Sequence, residues 1–202
     1  MFSNFIYDFV KVTAALPGLI WFRPKWVYEN ERARKRIRGG ALLIANHYGF
    51  FDPIHLMMAV WYRRHRFICR KEFFESRAAW LFRGFHCIPI DKENFSVDSF
   101  REITGQLSAG ALVSMFPEGQ VARQEGIAAF KSGMVLMAIK GGAPIVPVYL
   151  KPRKHFYSRQ VLAIGEPVDV RALCGPRPGM AQIESAAELL HRKEEALRAM
   201  TE

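Results

Sequence analysis

Ala41-Leu42-Leu43-Ile44-Ala45-Asn46-His47-Tyr48-Gly49-Phe50-Phe51-Asp52-Pro53 is the stretch on which the fold turns. The short apolar run at its start reads as a strand. Gly49 predicts a turn, and Asp52-Pro53 predicts a helix start, with Asp at the N-cap and Pro at the first helical position. A strand, a turn and a helix in this order form the repeating unit of an α/β domain.

The same alternation continues outward. Further strands are expected at 66–70, 86–90, 111–116, 144–150 and 160–164, and helices at 53–62, 72–83, 95–108 and 131–140, with a charged final helix at 181–200. The chain has 202 residues, half of them hydrophobic, which suits one α/β domain with a mixed, largely parallel sheet flanked by helices. Gly175-Pro176-Arg177-Pro178-Gly179 marks a loop before the last helix. The polar residues of interest fall at the C-terminal ends of the expected strands, where open α/β sheets place ligands.

Toward the N-terminus, Phe2, Phe5, Ile6, Phe9 and Val12 recur at helical spacing and predict an amphipathic helix, lying on a bilayer or packed on the domain. Trp21, Phe22 and Trp26 interleave with Arg23 and Lys25, a mixture suited to the headgroup layer. Asp8, Lys11 and Pro17-Gly18 interrupt the apolar run, so no transmembrane span is expected, and the early basic region of a secretory signal is missing. The formal charge of +10 favours anionic partners: a membrane surface, phosphorylated metabolites or nucleic acid. Basic runs at 32–38 and 61–66 bring no recognisable nucleic-acid motif with them, so nucleic acid is not the expected partner. Cys69, Cys87 and Cys174 lack metal or disulfide-framework spacing, which fits a reduced, cytosol-facing setting and predicts no metal site.

His47 and Asp52 could form a base and its orienting carboxylate, the aspartate accepting one imidazole proton while the other ring nitrogen takes a proton from a substrate. Spacing does not establish this, because His86-Cys-Ile-Pro-Ile-Asp91 repeats it. In a strand an odd separation sends two side chains to opposite faces, and in a helix a five-residue step rotates them apart by roughly 140°. A turn is needed, and only the first pair has Gly49 between its members. The bland readings are that Asp52 merely caps a helix and that His47 merely ends a strand. A metal site of His47, Asp52 and His55 is a weaker third reading.

Three further segments follow in order: Arg70-Lys71-Glu72-Phe73 leading to Gly84 through Lys92, then Phe116-Pro117-Glu118-Gly119-Gln120 leading to Phe130-Lys131-Ser132-Gly133, then Gly142 through Val148. With the first, they resemble the glycerolipid acyltransferase family, typified by the 1-acylglycerol-3-phosphate acyltransferases of bacterial phospholipid synthesis. The likeness runs from about residue 41 to residue 150. It implies an acyltransferase domain at 41–202; the N-terminal residues 1–40 read as an amphipathic membrane-contact segment, and the protein is expected on the cytoplasmic side of a membrane, peripheral or monotopic. The resemblance implies His47 and Asp52 as the catalytic pair. The acceptor would be held by Asn46, Glu118 and Gly119, and its phosphate by Lys92. Arg70, Lys71 and Lys131 are further cationic candidates for binding substrate. The partners implied are a lysophospholipid acceptor and an acyl-coenzyme A or acyl carrier protein co-substrate, with no cofactor. Three departures bear on the acceptor more than on the reaction: Lys92 stands where the family has arginine, Gln120-Val121 where it has Thr-Arg, and Tyr48-Gly49 after the histidine.

In the expected reaction His47 deprotonates the acceptor hydroxyl, which attacks the thioester carbonyl. Backbone amides near Gly119 or the helix start at Asp52 are candidates to hold the oxyanion. The competing readings are a non-catalytic lipid-binding or membrane-tethering protein and an acyltransferase for a different acceptor. A hydrolase is disfavoured because the chain has no serine nucleophile elbow.

Overall fold

The structure is a computed structural model that describes residues 2–91, 95–119, 127, 130–153, 155, 157–175 and 177–202. In chain order the elements are α1 (Phe2–Phe22), β1 (Lys25–Tyr28), β2 (Ala41–Ala45), α2 (Asp52–Ala59), β3 (His65–Arg70), a single 3-10 turn (Lys71–Phe74), α3 (Ala79–Gly84), β4 (Ile88–Ile90), α4 (Val97–Ser108), β5 (Leu112–Met115), α5 (Gly133–Gly141), β6 (Ile145–Leu150), β7 (Val161–Ile164), α6 (Val170–Cys174) and α7 (Met180–Ala199). The strands form one sheet in the order β1-β7-β6-β2-β5-β3-β4. All neighbours pair in parallel except β6 and β7, so the sheet is mixed and largely parallel.

The Ala41–Ala45 strand lies at the centre, with every residue buried. Its register places Leu42 beside Val113 on one neighbour and Ile145 on the other. Alternate side chains serve two layers, as the two-residue period of a strand requires. Leu42 and Ile44 pack with Ile103, Leu107, Val135 and Leu190 from α4, α5 and α7. Ala41, Leu43 and Ala45 pack with Phe22, Leu56 and Met58 from α1 and α2. A near-continuous apolar strand is what a sheet covered on both faces demands. Gly40 lets α4 close on the start of β2, since a Cβ there would stand 2.0 Å from the Leu107 carbonyl oxygen.

The N-terminal region differs from expectation. Lys25 and Trp26, read as part of an interfacial aromatic and basic cluster with Trp21, Phe22 and Arg23, belong to an edge strand, Lys25–Tyr28, parallel to β7, and the Trp26 indole donates to the Met58 carbonyl at 3.1 Å. The sheet therefore extends N-terminal to residue 41. Helix α1 continues past Pro17 to Phe22; a proline removes one helical hydrogen bond, and the helix absorbs that loss here. Its inner face is fastened to the domain: the His65 amide donates to the Tyr7 hydroxyl at 2.8 Å, and Asp8 pairs with Arg64 at 2.6 Å. Its outer face leaves Phe5, Phe9, Val12 and Ile20 each more than half exposed.

The single helix expected at 72–83 is two pieces. The Ser76 hydroxyl donates to the Phe73 carbonyl at 2.7 Å and accepts from the Ala78 amide at 3.3 Å, a local bonding pattern that competes with helix continuation. Helix α6, absent from the sequence reading, is short and is held by Asp169, whose side chain accepts from the Arg171 and Ala172 amides. Both β1 and α6 lack a strong period of their own.

Candidate active site

Because β2, β5, β3 and β4 run parallel, their C-terminal ends share one edge of the sheet. His47 follows β2, Phe116 follows β5, Arg70 ends β3 and Asp91 follows β4. That edge carries the residues singled out from the sequence, where an open α/β sheet leaves a crevice.

His47 Nδ1 lies 2.8 Å from Asp52 Oδ2. The same oxygen accepts the Tyr48 amide at 2.5 Å and the Gly49 amide at 2.7 Å. Asp52 Oδ1 faces His55 Nδ1 at 3.7 Å, beyond hydrogen-bond range. Burial would push the Asp52 carboxyl up, but the His47 hydrogen bond, the nearby His55 ring and the hydrogen bonds from the Gly49 and Tyr48 amides outweigh it and together hold the group at about 2. The carboxylate thus stays ionised and accepts the Nδ1 proton, which leaves the lone pair of a neutral imidazole on Nε2. The His47 ring stacks on Phe116, with centroids 4.2 Å apart and planes inclined by 16°, so its orientation is held from two sides.

This turn is built differently from the one expected. Asp52 is the first residue of α2, with Phe51 at the cap position, and its side chain makes no capping bond. It folds back over the preceding loop instead. Gly49 has no left-handed backbone conformation, and a Cβ there would meet nothing within 4 Å. The bend comes from the Asp52 carboxylate gathering the Tyr48 and Gly49 amides, closed by the Asp52 amide donating back to the Gly49 carbonyl at 3.2 Å.

His47 opens onto a cavity of about 2200 Å3 that Gly119, Arg70 and Lys131 also line. Most of its wall is apolar, with Phe67, Phe82, Phe85, Phe100 and Met115 among the lining residues. A headgroup needs far less room than this. His47 therefore faces a largely apolar chamber.

The expected binding residues fall into distinct groups. Gly119, Arg70 and Lys131 line the cavity. Gly119 adopts φ 69°, a conformation costly for any residue with a Cβ, and it closes a turn with its amide donating to the Phe116 carbonyl at 3.1 Å. Glu118 is buried beside it. Asn46, one residue beyond β2, is fully buried, and its side-chain amide bridges to the neighbouring strand β6, donating to the Leu150 carbonyl at 2.9 Å and accepting from the Leu150 amide at 2.7 Å. Its side chain is committed to joining the ends of β2 and β6. Lys71 does not line the cavity; its ammonium pairs with Asp91 at 2.6 Å. Lys92 lies outside the described residues. The amides proposed for the oxyanion are already engaged, because those of Tyr48, Gly49, Asp52 and Gly119 each donate within the chain.

Two neighbours of the His47–Asp52 pair take parts the sequence reading did not give them, Phe116 and His55, the latter read there only as a possible metal ligand. Phe116 belonged to a noted segment, but its stacking on His47 depends on the β2–β5 pairing. His55 sits three residues after Asp52 on a helix, a spacing that shares one face. Its ring also meets Phe22 edge-on at 4.6 Å, so the end of α1 packs against the residue that faces Asp52.

A 1-acyl-sn-glycerol-3-phosphate acyltransferase of Streptococcus pneumoniae (strain ATCC BAA-255 / R6) is 29% identical over 136 residues, covering 64% of this chain and 50% of that protein. The chain thus spans about half the length of this curated relative. The crystal structure of the 1-acyl-sn-glycerophosphate acyltransferase PlsC from Thermotoga maritima shares the fold, with a TM-score of 0.69 over 98% of this chain and 81% of that one, at 18% identity. The acyltransferase family model matches residues 26–151, an interval that begins within β1, spans the His47–Asp52 pair and Phe116-Pro117-Glu118-Gly119, and ends just past β6. The chain belongs to the acyltransferase family.

Proposed function

We propose that this protein transfers a fatty acyl group from an acyl-coenzyme A or acyl carrier protein thioester to the hydroxyl of a lysophospholipid, with 1-acylglycerol-3-phosphate as the first acceptor to test. The observation that carries the reading is the His47–Asp52 pair at 2.8 Å opening onto a large apolar cavity. His47 Nε2 takes the acceptor proton as the hydroxyl oxygen attacks the thioester carbonyl, and Asp52 stabilises the imidazolium so formed. Collapse of the tetrahedral intermediate expels the thiolate, which His47 can protonate. No covalent enzyme intermediate is needed.

Arg70 and Lys131 supply positive charge at the cavity for the acceptor phosphate or the developing oxyanion. The apolar chamber accommodates acyl chains, each buried methylene contributing about 0.8 kcal/mol. Peripheral attachment to the cytoplasmic face of a membrane fits the exposed apolar ridge of Phe5, Phe9, Val12 and Ile20 on α1. Among the described residues no helix is long and apolar enough to cross a membrane, and a ridge of this kind suits a helix lying in the interface.

The reaction is tested by incubating the purified chain with long-chain acyl-coenzyme A or acyl carrier protein and a panel of lysolipid acceptors, reading diacylated products by mass spectrometry. Formation of phosphatidate from lysophosphatidate is expected. Product only from neutral lysolipids would move the assignment to another acceptor, and lipid binding without thioester consumption would leave a non-catalytic lipid-binding protein.

A further inference from the structure

Helix α7 presents Ile183, Ala186, Ala187, Leu190 and Leu197 to the core, all buried. Glu194 occupies the same stripe and is fully buried. Neither of its carboxyl oxygens has a hydrogen-bond partner among the described residues. Burying a carboxyl without partners is costly, and an apolar residue would pack this stripe with less penalty. Stability alone therefore does not explain a glutamate at this position, which lies beyond the 26–151 interval of the family match.

The surroundings of Glu194 belong to the active site. Its carboxyl lies against the backbone amide of Asn46 and near the carboxyl of Glu118. Asn46 immediately precedes His47 and ties β2 to β6 through Leu150. Glu118 precedes Gly119, in the turn that also carries the His47 stacking partner Phe116. Tyr149 of β6, beside the same helix, interacts with Glu194, with Arg198 and with the Tyr48 hydroxyl. Arg198 itself pairs with Glu202 at 3.8 Å. Burial drives the Glu194 carboxyl well above the ordinary carboxylate range; the Asn46 amide opposes this and the Glu118 carboxyl adds to it. Two acids sharing a buried site do not both ionise readily.

We propose that Glu194 is a positioning residue for the acyl-transfer site: its buried carboxyl, set between the Asn46 amide and Glu118, fixes the spacing of the two strand ends that carry His47 and Phe116. The inference rests on the acyl-transfer reading of His47 and Asp52. Ionisation of Glu194 places a second negative charge beside Glu118, with Tyr48 and Tyr149 as the other titratable neighbours, and spreads those ends. Activity then falls on the alkaline side without any change in the groups that touch substrate.

Two variants of the full chain test this. Glu194→Leu is expected to lower kcat at least about tenfold while Tm is equal to or above that of the parent. Glu194→Gln, neutral at every pH, rescues kcat to within about threefold and removes the alkaline loss. A Glu194→Leu protein with parental kcat overturns the proposal, as does a Glu194→Gln protein as impaired as the leucine variant. A second readout needs no substrate. A carboxyl raised in the folded state binds its proton when the unfolded chain has released it, so parental stability relative to Glu194→Gln declines as pH climbs above 4.5, the ordinary glutamate value, until the folded group ionises. A Tm difference between the two proteins that is flat from pH 4 to 8 overturns the neutral carboxyl. Loss of all acyl transfer in the parent, with that Tm difference still pH-dependent, instead overturns the reading of the reaction.

Discussion

The chain contains two histidine–aspartate pairs with identical spacing, His47 with Asp52 and His86 with Asp91, and the fold treats them in opposite ways. His47 and Asp52 meet at 2.8 Å. His86 adopts a left-handed backbone, φ 53°, and its Nε2 lies 2.9 Å from Asn4 Oδ1 on α1. Asp91 goes to Lys71. The difference is in what lies between the partners. After His47 the chain leaves the sheet and loops back, and two backbone amides reach the same carboxylate oxygen as the imidazole. After His86 the chain enters β4 and continues straight, which carries the aspartate away. In the first pair the acid is gathered by the loop that presents the histidine; in the second it is not.

The comparison breaks most sharply at the histidines. His47→Ala is expected to reduce acyl transfer by about 100- to 10,000-fold, the span of a lost general base, and to lower Tm, because the ring stacks on Phe116 and supplies the leading hydrogen bond to Asp52. His86→Ala should stay within a few-fold of the parent. Comparable losses in steady-state assays of the two variants would mean that the first pair has no special role.

The aspartates give the next largest contrast. Asp52→Asn should lower kcat by about 100-fold or more, since a neutral amide no longer stabilises the imidazolium. It should also cost stability. With its folded pKa held at about 2 against 3.8 in a free carboxyl, Asp52 contributes about 2 kcal/mol above pH 3.8 by linkage, and this is lost as pH falls through 2. The variant should therefore show a lower Tm at neutral pH and a flatter decline between pH 4 and 2. Asp91→Asn should do neither, because its ion pair with Lys71 is solvent-exposed and such pairs are screened. An Asp52→Asn protein with the parental acid profile would remove the carboxylate network.

The smallest contrast concerns glycine. Gly49→Ala should leave kcat within about twofold and stability within about 1 kcal/mol, because its backbone is ordinary and the space is open. Gly119→Ala should cost about 1–2 kcal/mol in chemical denaturation, the price of a left-handed conformation. A severe defect in Gly49→Ala would restore the glycine turn as the feature that brings His47 to Asp52.

Much of the fold is legible along the chain, in uneven measure. The strands at Ala41–Ala45 and Ile145–Leu150 declare themselves through unbroken apolar runs, because both faces are covered. The edge strand Lys25–Tyr28 does not, since its half-exposed residues read as well for a bilayer surface as for a sheet margin. The site divides in the same way. Gly119 and Lys131 line the cavity with His47. Lys71 does not, because Asp91, brought alongside by the β3–β4 pairing, claims its ammonium.

By itself the sequence determined the alternation of strands and helices, the helix start at Asp52-Pro53 and the edge of the sheet on which the chemistry collects. These follow from hydrophobic period and turn chemistry, which act over a few residues. Only the tertiary structure decided which histidine keeps its aspartate, how the turn is held and what stands behind it. Those outcomes depend on groups far apart in the chain: Asn4 for His86, Phe116 for His47, Leu150 for Asn46 and Glu194 behind both strand ends. Packing brings them together, and local spacing carries no record of it.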